Sequence, residues 1–415
     1  MAKSSRISFL VFSDDWGEHP SSCQHLFQYI GEKYPVLWVN TVGMRSPKPT
    51  MTDLGKSIKK LRKMIFGAGK NSFHHNKSGN VIVYQPPMVP LPRMPGARVL
   101  NRVTVTSGVR KRLYRLGMGS PILVSTVPNA CDYVGRCGEQ RVVYYCVDDF
   151  SAWPGLDHDL VEKMEQKLIG KTDVFVATSH KLYEKLAEHG KPAHLLNHGV
   201  DLEFFRKEPD KEHIVLQQIP RPRVGYFGLF DQRSDQNLLS QVAKQMSDVS
   251  FVITGRVEID VGRLKVLPNV FFTGRVPYSE LPAVIKGWDA CILPYSVNDL
   301  SEAITPLKLK EYLASGKPVV STPIPEATRL VSLVNIAETS ERWVEAIRCS
   351  LKEQSSEIKN QRRSFLVQES WVQKAAQFLE MCLDFHLKKR PQGARVGKTS
   401  GNGEAELGSV VTYCK

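Results

Sequence analysis

Hydrophobic positions along this chain follow two alternating patterns. Short apolar runs rich in β-branched and aromatic residues predict strands, and stretches with apolar residues every three or four positions predict helices. In the first half the predicted strands are 7–12, 36–40, 81–85, 122–126, 142–147, 174–178 and 193–196, and the predicted helices are 23–34, 108–116, 160–170 and 180–189. In the second half the predicted strands are 223–227, 249–254, 270–273, 290–293, 318–321 and 333–336, and the predicted helices are 236–246, 279–286, 306–314, 340–350 and 369–387. This alternation is typical of α/β domains built on parallel sheets.

Polar residues interrupt the pattern once, between 206 and 222. Because the alternation restarts after them, we expect two doubly wound, Rossmann-like domains that face each other across a cleft, with ligands bound beyond the carboxyl ends of the strands. A C-terminal helix is predicted to cross back to the first domain, and the tail, rich in Gly and Ser, is predicted to be disordered. The predicted boundaries are 1–205 for the first domain, 206–222 for the linker, 223–368 for the second domain, 369–389 for the helix and 390–415 for the tail.

Basic residues are concentrated in one segment. The chain of 415 residues carries 56 Lys and Arg against 42 Asp and Glu, a formal charge of +14. Residues 41–120 contain 16 basic side chains and 1 acidic side chain, whereas residues 121–415 contain 37 of each. The excess therefore belongs to one part of the first domain, and it favours an anionic partner for that part.

Within this segment, residues 53–66 combine an apolar stripe with cations. Such a basic amphipathic helix would bury its stripe in an anionic membrane surface and place its cations among the headgroups. The cations predicted to face the membrane are Lys56, Lys59, Lys60, Arg62 and Lys63. The alternative is a solvated surface helix packed on its own sheet. Nucleic acid is a less favoured partner, because residues 41–120 contain few aromatic side chains that could stack on bases.

Two observations bear on the cellular compartment. No apolar run reaches the ~18 residues that a membrane-spanning helix requires, and the run at 7–12 is too short for a signal peptide. Eight cysteines are scattered without a C-x-x-C pair, which is typical of reduced, buried thiols in a cytosolic protein. We therefore expect a cytoplasmic protein that is peripheral on the inner face of the cell membrane.

The strongest functional pattern is SEAITPLKLKEYLASGKPVVST at 301–322. Pro306 suits the first turn of a helix, and Gly316 suits the end of that helix. A diphosphate would be favoured at the N-terminus of this helix, where Lys308 adds a cation. Glu311, one turn later, could accept hydrogen bonds from ribose hydroxyls. The alternative is an amphipathic helix on which Lys308 and Glu311 form a solvated pair.

Further segments show a resemblance to one enzyme family. They are NHGVDLEFF at 197–205, RVGYFG at 223–228, NVFFTGRVPYSELP at 269–282 and WDACILPY at 288–295. With the pattern at 301–322, they make the chain resemble the GT-B glycosyltransferases of the group-1 (family 4) type over residues 7–385. The chain is similar to bacterial polysaccharide-biosynthesis enzymes and to xanthan-type glucuronosyltransferases. The resemblance implies that the second domain binds a nucleotide-sugar donor and that the first binds a polyprenyl-diphosphate-linked or glycan acceptor.

The resemblance also implies roles for single residues on the predicted helix of the second domain. Lys308 matches the family's phosphate-binding lysine, and Glu311 matches the second acidic residue of its E-x7-E motif. The first acidic position of that motif is occupied by Ala303, and Glu302 stands one place earlier. We therefore expect Lys308 and Glu311 to contact the donor, and we keep Glu302 as a sugar-contacting candidate.

Loops of the second domain supply the other donor-site candidates. Gly228 matches the glycine at which the backbone approaches the phosphates, since a side chain there would clash. Arg233 lies in a loop where relatives place a cation on the leaving diphosphate, and a plain surface charge is the alternative. Arg275 and Val276 match the loop that contacts the base. The full set of donor-site candidates is Gly228, Arg233, Arg275, Val276, Tyr295, Glu302, Thr305, Leu307, Lys308 and Glu311.

Paired carboxylates follow a predicted strand of the first domain. Asp148 and Asp149 compete for the role of a base near the acceptor hydroxyl, and the related glucuronosyltransferases use a first-domain aspartate. The alternative, above all for Asp149, is that the side chain caps the following turn. The predicted catalytic set is Asp148, Asp149 and Arg233, and the predicted acceptor-side or sugar-side set is Asp15, Trp16 and His25. A packed histidine is the alternative for His25.

These features predict a metal-independent glycosyltransferase of the hexosyltransferase type that requires no cofactor and acts in cell-surface polysaccharide biosynthesis. Lys308, Arg233 and the helix N-terminus would stabilise the departing diphosphate. We find no D-x-D pattern between a strand and a loop of the kind that holds a divalent ion. The alternatives are a nucleotide-sugar 2-epimerase of the same fold and a non-catalytic protein that binds membranes or nucleic acid.

Overall fold

A computed structural model of the chain describes residues 7–17, 21–40, 80–89, 94–153, 156–298, 301 and 305–384. The chain forms two compact units. The first comprises the chain up to Val200 together with Glu302–Leu307 and Gln368–Leu383. The second includes Asp201–Ser301 and Lys308–Val367. Each unit is built on a parallel sheet with interleaved helices, so the predicted α/β fold class is confirmed.

A seven-stranded parallel sheet forms the first unit, in the order β3-β2-β1-β4-β5-β6-β7. Its strands are β1 (Phe9–Ser13), β2 (Val36–Asn40), β3 (Val81–Tyr84), β4 (Ile122–Ser125), β5 (Arg141–Cys146), β6 (Val174–Ala177) and β7 (Ala193–Leu195). Its first helices are α1 (Ser22–Ile30), α2 (Pro95–Arg115), α3 (His158–Lys171) and α4 (His180–Ala187). All residues of β1, β2, β4, β5 and β6 are buried, which explains why these strands are continuous apolar runs in the sequence.

A six-stranded parallel sheet forms the second unit, in the order β10-β9-β8-β11-β12-β13. Its strands are β8 (Arg223–Phe227), β9 (Ser250–Thr254), β10 (Val270–Gly274), β11 (Ala290–Leu293), β12 (Val319–Ser321) and β13 (Asn335–Ile336). The helices that follow α4 are α5 (Leu202–Phe205), α6 (Gln236–Gln245), α7 (Gly262–Lys265), α8 (Leu281–Lys286), α9 (Leu307–Ser315), α10 (Pro325–Thr328), α11 (Ser340–Lys352), α12 (Ser356–Phe365) and α13 (Trp371–Leu383). Because β8 and β11 are neighbours, the loop after β8 and the helix after β11 lie at the same edge of the sheet.

The last helix, α13, packs on α1 within the first unit. The rings of Trp371 and His25 are nearly parallel, with centroids 4.6 Å apart and an interplanar angle of 7°. Trp371 also covers Gly199, where an added Cβ would lie 2.6 Å from the indole. Phe378 contacts Phe27 at a centroid distance of 6.0 Å. Trp371 and Phe378 are therefore part of the core of the first unit, although they follow the second unit in the sequence.

Most predicted elements are present with small shifts of their ends, but one helix is longer than predicted, and four helices, α5, α7, α10 and α12, were not predicted. The helix predicted at 108–116 begins much earlier, at Pro95. Its β-branched residues obscure the helical pattern in the sequence. Val105, Val109 and Leu113 pack in the core of the first unit, and the Asn101 amide hydrogen-bonds to the backbone of Val89. Helix α12 was not predicted, because Ile358 and Phe365 are its only apolar residues.

Some predictions concern residues that the structure does not describe or describes in part. The helix predicted at 53–66 and the tail at 390–415 lie outside the described residues. Six cysteines are free and buried, as predicted, namely Cys23, Cys131, Cys137, Cys146, Cys291 and Cys382. Cys349 is disulfide-bonded, contrary to the expectation of reduced thiols throughout. Among the described helices, none combines the length and the apolar character needed to cross a membrane.

Candidate active site

Three glycines with left-handed backbones lie at the carboxyl ends of neighbouring strands of the second unit. Gly228, Gly255 and Gly274 have φ angles of +115°, +140° and +73°. The N–H of Gly228 donates to Thr254 O at 2.8 Å, and the N–H of Gly255 donates to Gly274 O at 2.8 Å. Of these three glycines, only Gly228 is a predicted site residue. The repeated Thr-Gly pair that closes β9 and β10 is the signal that would have identified the other two.

Lys308 occupies the space that the missing side chain of Gly228 leaves open. A Cβ on Gly228 would lie 2.2 Å from Cε of Lys308. The Lys308 ammonium donates a hydrogen bond to Tyr295 Oη at 3.1 Å, and it lies 5.3 Å from the centre of the Tyr226 ring. Thus the structure brings together three of the predicted donor-site residues, Gly228, Tyr295 and Lys308, at the edge where β8 and β11 end.

Two cations, Lys308 and Arg233, act on the phenol of Tyr295. Burial opposes ionisation of Tyr295, but the Lys308 ammonium and the Arg233 guanidinium outweigh it and lower the pKa of this phenol below its ordinary value. Burial raises the pKa of the neighbouring Tyr226 well above its ordinary value. A lysine ammonium at a partly buried strand edge suits a diphosphate.

Arg233 is an ion-paired side chain in a mostly buried position. Its Nε donates to Asp231 Oδ1 at 2.9 Å and its Nη2 donates to Asp231 Oδ2 at 2.8 Å, while 18% of the Arg233 side chain is exposed. Burial works against the cation, but the hydrogen bonds to Asp231 raise the pKa of Arg233 above its ordinary value. The plain surface charge that the sequence allowed as an alternative does not fit this geometry.

Glu311 lies one turn after Lys308 on α9 and is only 8% exposed. The hydroxyl of Tyr278 donates to Glu311 Oε1 at 3.1 Å. Burial raises the pKa of Glu311 to about 7, although the Lys308 cation and the Tyr278 hydroxyl act in the opposite direction. A solvated pair of Lys308 and Glu311, the alternative allowed by the sequence, is therefore wrong.

The loop predicted to contact the base follows Gly274. Arg275 is exposed and Val276 is half-buried. Tyr278, two residues further on, was not among the predicted site residues, although it lies in the resembling segment at 269–282. Tyr278 is half-buried, and its hydroxyl donates a hydrogen bond to Glu311, which connects this loop to α9.

Thr305 and Leu307 differ from the expectation. Helix α9 begins at Leu307, one residue later than predicted, and both residues group with the first unit rather than with Lys308. Thr305 is 5% exposed, and its hydroxyl donates to Thr178 O at 2.7 Å. The Thr305 side chain is therefore already committed to a backbone carbonyl. Glu302 lies outside the described residues, as do the membrane-facing candidates Lys56, Lys59, Lys60, Arg62 and Lys63.

Asp148 and Asp149 follow β5 in the first unit. The carboxylate of Asp149 caps a short 3₁₀ turn, accepting from the N–H of Ser151 at 3.2 Å and from its hydroxyl at 2.6 Å. Lys185 Nζ lies 3.6 Å from the same carboxylate. Burial disfavours the charged form, yet the bonds from Ser151 and the Lys185 cation lower the pKa of Asp149. The capping alternative is confirmed for Asp149, and Asp148 stays the predicted base.

Two of the three predicted sugar-side residues serve packing in the structure. Trp16 is 7% exposed, and its ring meets Trp38 edge-to-face at 4.7 Å. His25 stacks on Trp371, which agrees with the packed-histidine alternative. Asp15 is half-buried, and its carbonyl accepts from Gln24.

Asp14, which is not a predicted site residue, connects the first loop to the start of α1 through hydrogen bonds. It accepts hydrogen bonds from Ser13 Oγ at 2.8 Å, Ser21 Oγ at 3.0 Å and Gln24 Nε2 at 2.7 Å. Burial raises the pKa of Asp14, and these hydrogen bonds partly offset that rise. The signal for this role is Ser21, an N-cap residue placed directly before α1.

Parts of the chain are similar in sequence to known proteins. Residues 221–353 match the family described as glycosyl transferases group 1. A candidate teichuronic acid biosynthesis glycosyltransferase of Bacillus subtilis (strain 168) is 29% identical over 209 residues, which are 46% of this chain and 52% of that protein. The chain thus spans about half the length of this curated relative.

Solved structures show the same architecture. HepE of Anabaena in complex with UDP-glucose superposes with a TM-score of 0.63 at 14% identity, covering 90% of this chain and 99% of HepE. Sucrose-phosphate synthase of Thermosynechococcus elongatus superposes with a TM-score of 0.65 at 15% identity, covering 91% and 98%. The chain therefore has the GT-B fold, and residues 221–353 of its second unit are similar to the group 1 glycosyltransferases. The predicted resemblance is confirmed for the GT-B fold and for the group 1 match, and the similarity to xanthan-type glucuronosyltransferases stays a prediction.

Proposed function

We propose that this chain is a glycosyltransferase that moves a hexosyl group from a nucleotide-sugar donor to an acceptor hydroxyl. The observation that carries the proposal is the position of Lys308, which lies against Gly228 where β8 and β11 end. A cation beside a backbone without a side chain suits a diphosphate, and Glu311, one turn along the helix, suits ribose hydroxyls. The complex of HepE with UDP-glucose supports a nucleotide sugar as the donor.

In the proposed reaction, the bond between the anomeric carbon and the diphosphate oxygen breaks, and a bond from that carbon to the acceptor oxygen forms. Lys308 and Arg233 would stabilise the negative charge that develops on the leaving diphosphate, without a metal ion. Asp148 is the candidate that takes the proton of the acceptor hydroxyl. Among the described residues, no cluster of three or more His, Cys, Asp or Glu side chains has a metal-binding arrangement.

The proposed acceptor is a lipid-linked or glycan chain of cell-surface polysaccharide synthesis, reached at the inner face of the cell membrane. The relative from Bacillus subtilis, named for teichuronic acid biosynthesis, supports this context. Helix α2 supports a membrane as the partner. Three apolar side chains near its start, Val99, Leu100 and Val103, are 49%, 52% and 59% exposed.

Helix α2 as a whole is strongly basic. Residues 95–115 contain six Lys and Arg and no acidic residue. Tyr114 is 88% exposed and lies beside the cations of Arg110, Lys111 and Arg115. An exposed apolar patch next to cations and an amphipathic tyrosine matches the chemistry of an anionic lipid surface.

The proposed activity is tested with a panel of UDP-, GDP- and ADP-sugars, measured by thermal shift and by hydrolysis in wild type, Lys308→Ala and Lys244→Ala. Lys244 is an exposed lysine on α6 and serves as the matched control. We expect at least one donor to stabilise wild type and Lys244→Ala but not Lys308→Ala, with hydrolysis unaffected by EDTA. Absence of any donor effect on wild type would overturn the proposal. Release of an epimerised sugar without acceptor would favour a 2-epimerase instead.

A further inference from the structure

Tyr278 lies in an aromatic cluster of the second unit. Its ring stacks on Phe204 with 5.0 Å between centroids and an interplanar angle of 6°, and it meets Phe205 edge-to-face at 5.8 Å. Phe205 in turn stacks on Phe227, the last residue of β8. The Tyr278 ring is therefore held on two sides, and its hydroxyl has a defined direction.

That hydroxyl points at the carboxylate of Glu311. The O–H of Tyr278 donates to Oε1 of Glu311 at 3.1 Å, and the Glu311 side chain is buried on α9. Tyr278 belongs to the loop after β10, two residues beyond Val276, whereas Glu311 belongs to the helix after β11. A single hydrogen bond thus connects the loop predicted to contact the base with the carboxylate predicted to contact the ribose.

We propose that Tyr278 is a positioning residue for nucleoside recognition, which holds Oε1 of Glu311 so that Oε2 is turned toward the ribose hydroxyls of the donor. The inference rests on the proposed function, because it needs a nucleotide in the second unit. A carboxylate on a helix keeps free rotation about its terminal bond unless a partner restrains it. Tyr278 supplies the restraint, and through its loop it couples the position of the base to that of the ribose.

The charges around Glu311 make this role measurable. Burial raises the pKa of Glu311 to about 7, and the Lys308 ammonium and the Tyr278 hydroxyl both favour the ionised form. Tyr312 also faces Glu311, and Asp201 faces Tyr278. Removal of the Tyr278 hydroxyl takes away a donor that favours the carboxylate, so the pKa of Glu311 should rise further. Nucleotide affinity that needs ionised Glu311 should then be lost at a higher pH.

The test measures affinity for the nucleoside diphosphate that stabilises the full chain most, by calorimetry, across the range from acidic to alkaline pH. Tyr278→Phe keeps the ring stacked on Phe204 and removes only the hydroxyl. We expect about tenfold weaker binding at neutral pH, the loss typical of a hydrogen bond to a charged group, and an acid limb displaced to higher pH. Glu311→Gln should bind weakly and keep only the acid limb that protonation of the diphosphate itself produces.

The double variant separates positioning from packing. Tyr278→Phe should have no further effect on affinity in the Glu311→Gln background, because its whole influence passes through the carboxylate. The control Phe204→Leu disturbs the stack but keeps the hydroxyl, so the pH midpoint of binding should stay at the wild-type value. If Tyr278→Phe lowers nucleotide affinity equally in the wild-type and the Glu311→Gln backgrounds, the proposal is overturned, since Tyr278 would then act through packing alone.

Sugar selectivity supplies an independent readout. Wild type should bind the nucleoside diphosphate more tightly than its 2′,3′-dideoxy analogue, and Tyr278→Phe should reduce that preference. If wild type binds nucleotide and Tyr278→Phe leaves affinity, pH profile and ribose preference unchanged, the positioning role is wrong while the proposed function stands. If wild type binds no nucleotide at any pH, both are overturned.

Discussion

The side chain of Lys308 and the backbone of Gly228 occupy mutually dependent positions, since a Cβ on Gly228 would lie 2.2 Å from Lys308 Cε. The two residues are far apart in the chain. They meet because β8 and β11 pair directly, and the chain after β11 leads into α9. Two physical requirements therefore favour glycine at position 228. The backbone has a φ of +115°, and the aliphatic part of the Lys308 side chain needs the space that a Cβ would take.

The first prediction concerns Gly228→Ala. The added methyl group must displace Lys308, so we expect donor affinity to fall at least tenfold, in addition to a backbone cost of about 1 to 2 kcal/mol in the free energy of unfolding. Isothermal calorimetry with the donor and chemical denaturation measure the two effects separately.

Gly190→Ala is the matched control, because Gly190 also has a positive φ, +68°, but an added Cβ there has no atom within 4 Å. It should share the loss of stability and keep the wild-type donor affinity. Equal affinities of the Gly228 and Gly190 variants would contradict the steric role assigned to Gly228.

The second prediction distinguishes the paired carboxylates. Asp148→Asn should lower kcat by about 100-fold at unchanged donor affinity if Asp148 accepts the acceptor proton. Asp149→Ala should instead lower the free energy of unfolding by about 1 kcal/mol, because it removes the cap on Ser151. Steady-state kinetics and urea denaturation of both variants provide the comparison. The reverse pattern would assign the base to Asp149.

The third prediction follows from the lowered pKa of Asp149. A carboxyl whose pKa is lower in the folded state stabilises the protein above the unfolded pKa of 3.8, and this contribution is lost as the pH falls through the lower folded value. Wild type should therefore be more stable than Asp149→Asn at neutral pH, and the difference should vanish in strong acid. A difference that is constant with pH would exclude an electrostatic origin.

The fourth prediction concerns α13. Trp371 is 3% exposed and packs on His25 and Gly199, so Trp371→Ala should destabilise the first unit by about 3 to 5 kcal/mol. Val372, the next residue, is 54% exposed, and Val372→Ala should change the free energy of unfolding by less than about 0.5 kcal/mol. Chemical denaturation followed by far-UV circular dichroism, whose signal comes mainly from the backbone, measures the free energy of unfolding of both variants. Similar stabilities of the two variants would show that α13 is dispensable.

The fifth prediction concerns the exposed face of α2. Replacing Val99, Leu100 and Val103 with Ser should weaken flotation with vesicles that contain phosphatidylglycerol, and replacing Arg110, Lys111 and Arg115 with Gln should remove the dependence on anionic lipid. Neither variant should change hydrolysis of the donor in solution.

Val266→Ser, at an exposed position of the second unit, serves as the control for the α2 variants. Unchanged flotation of both α2 variants would exclude this face as the docking surface. Retention of RNA that survives competition by the vesicles would favour nucleic acid as the partner.

Apolar periodicity alone was enough to locate most strands and helices, because continuous burial of parallel strands leaves a direct trace in the order of residues. The spacing of Lys308 and Glu311 also placed both on one helix. By contrast, β-branched residues hid the first half of α2, and polar composition hid α12, because tertiary packing outweighs intrinsic propensity there.

Contacts between distant segments could not be derived in this way. Three such contacts depend on the order of the strands in each sheet. They are the packing of Trp16 on Trp38, the hydrogen bond from Tyr278 to Glu311, and the position of Lys308 beside Gly228. Apolar periodicity shows which side of each segment is buried. Which segments pack against each other depends on the free energy of the whole fold. The pattern of residues therefore predicted the helix that carries Lys308 and Glu311, and the three-dimensional packing determined which side chains contact it.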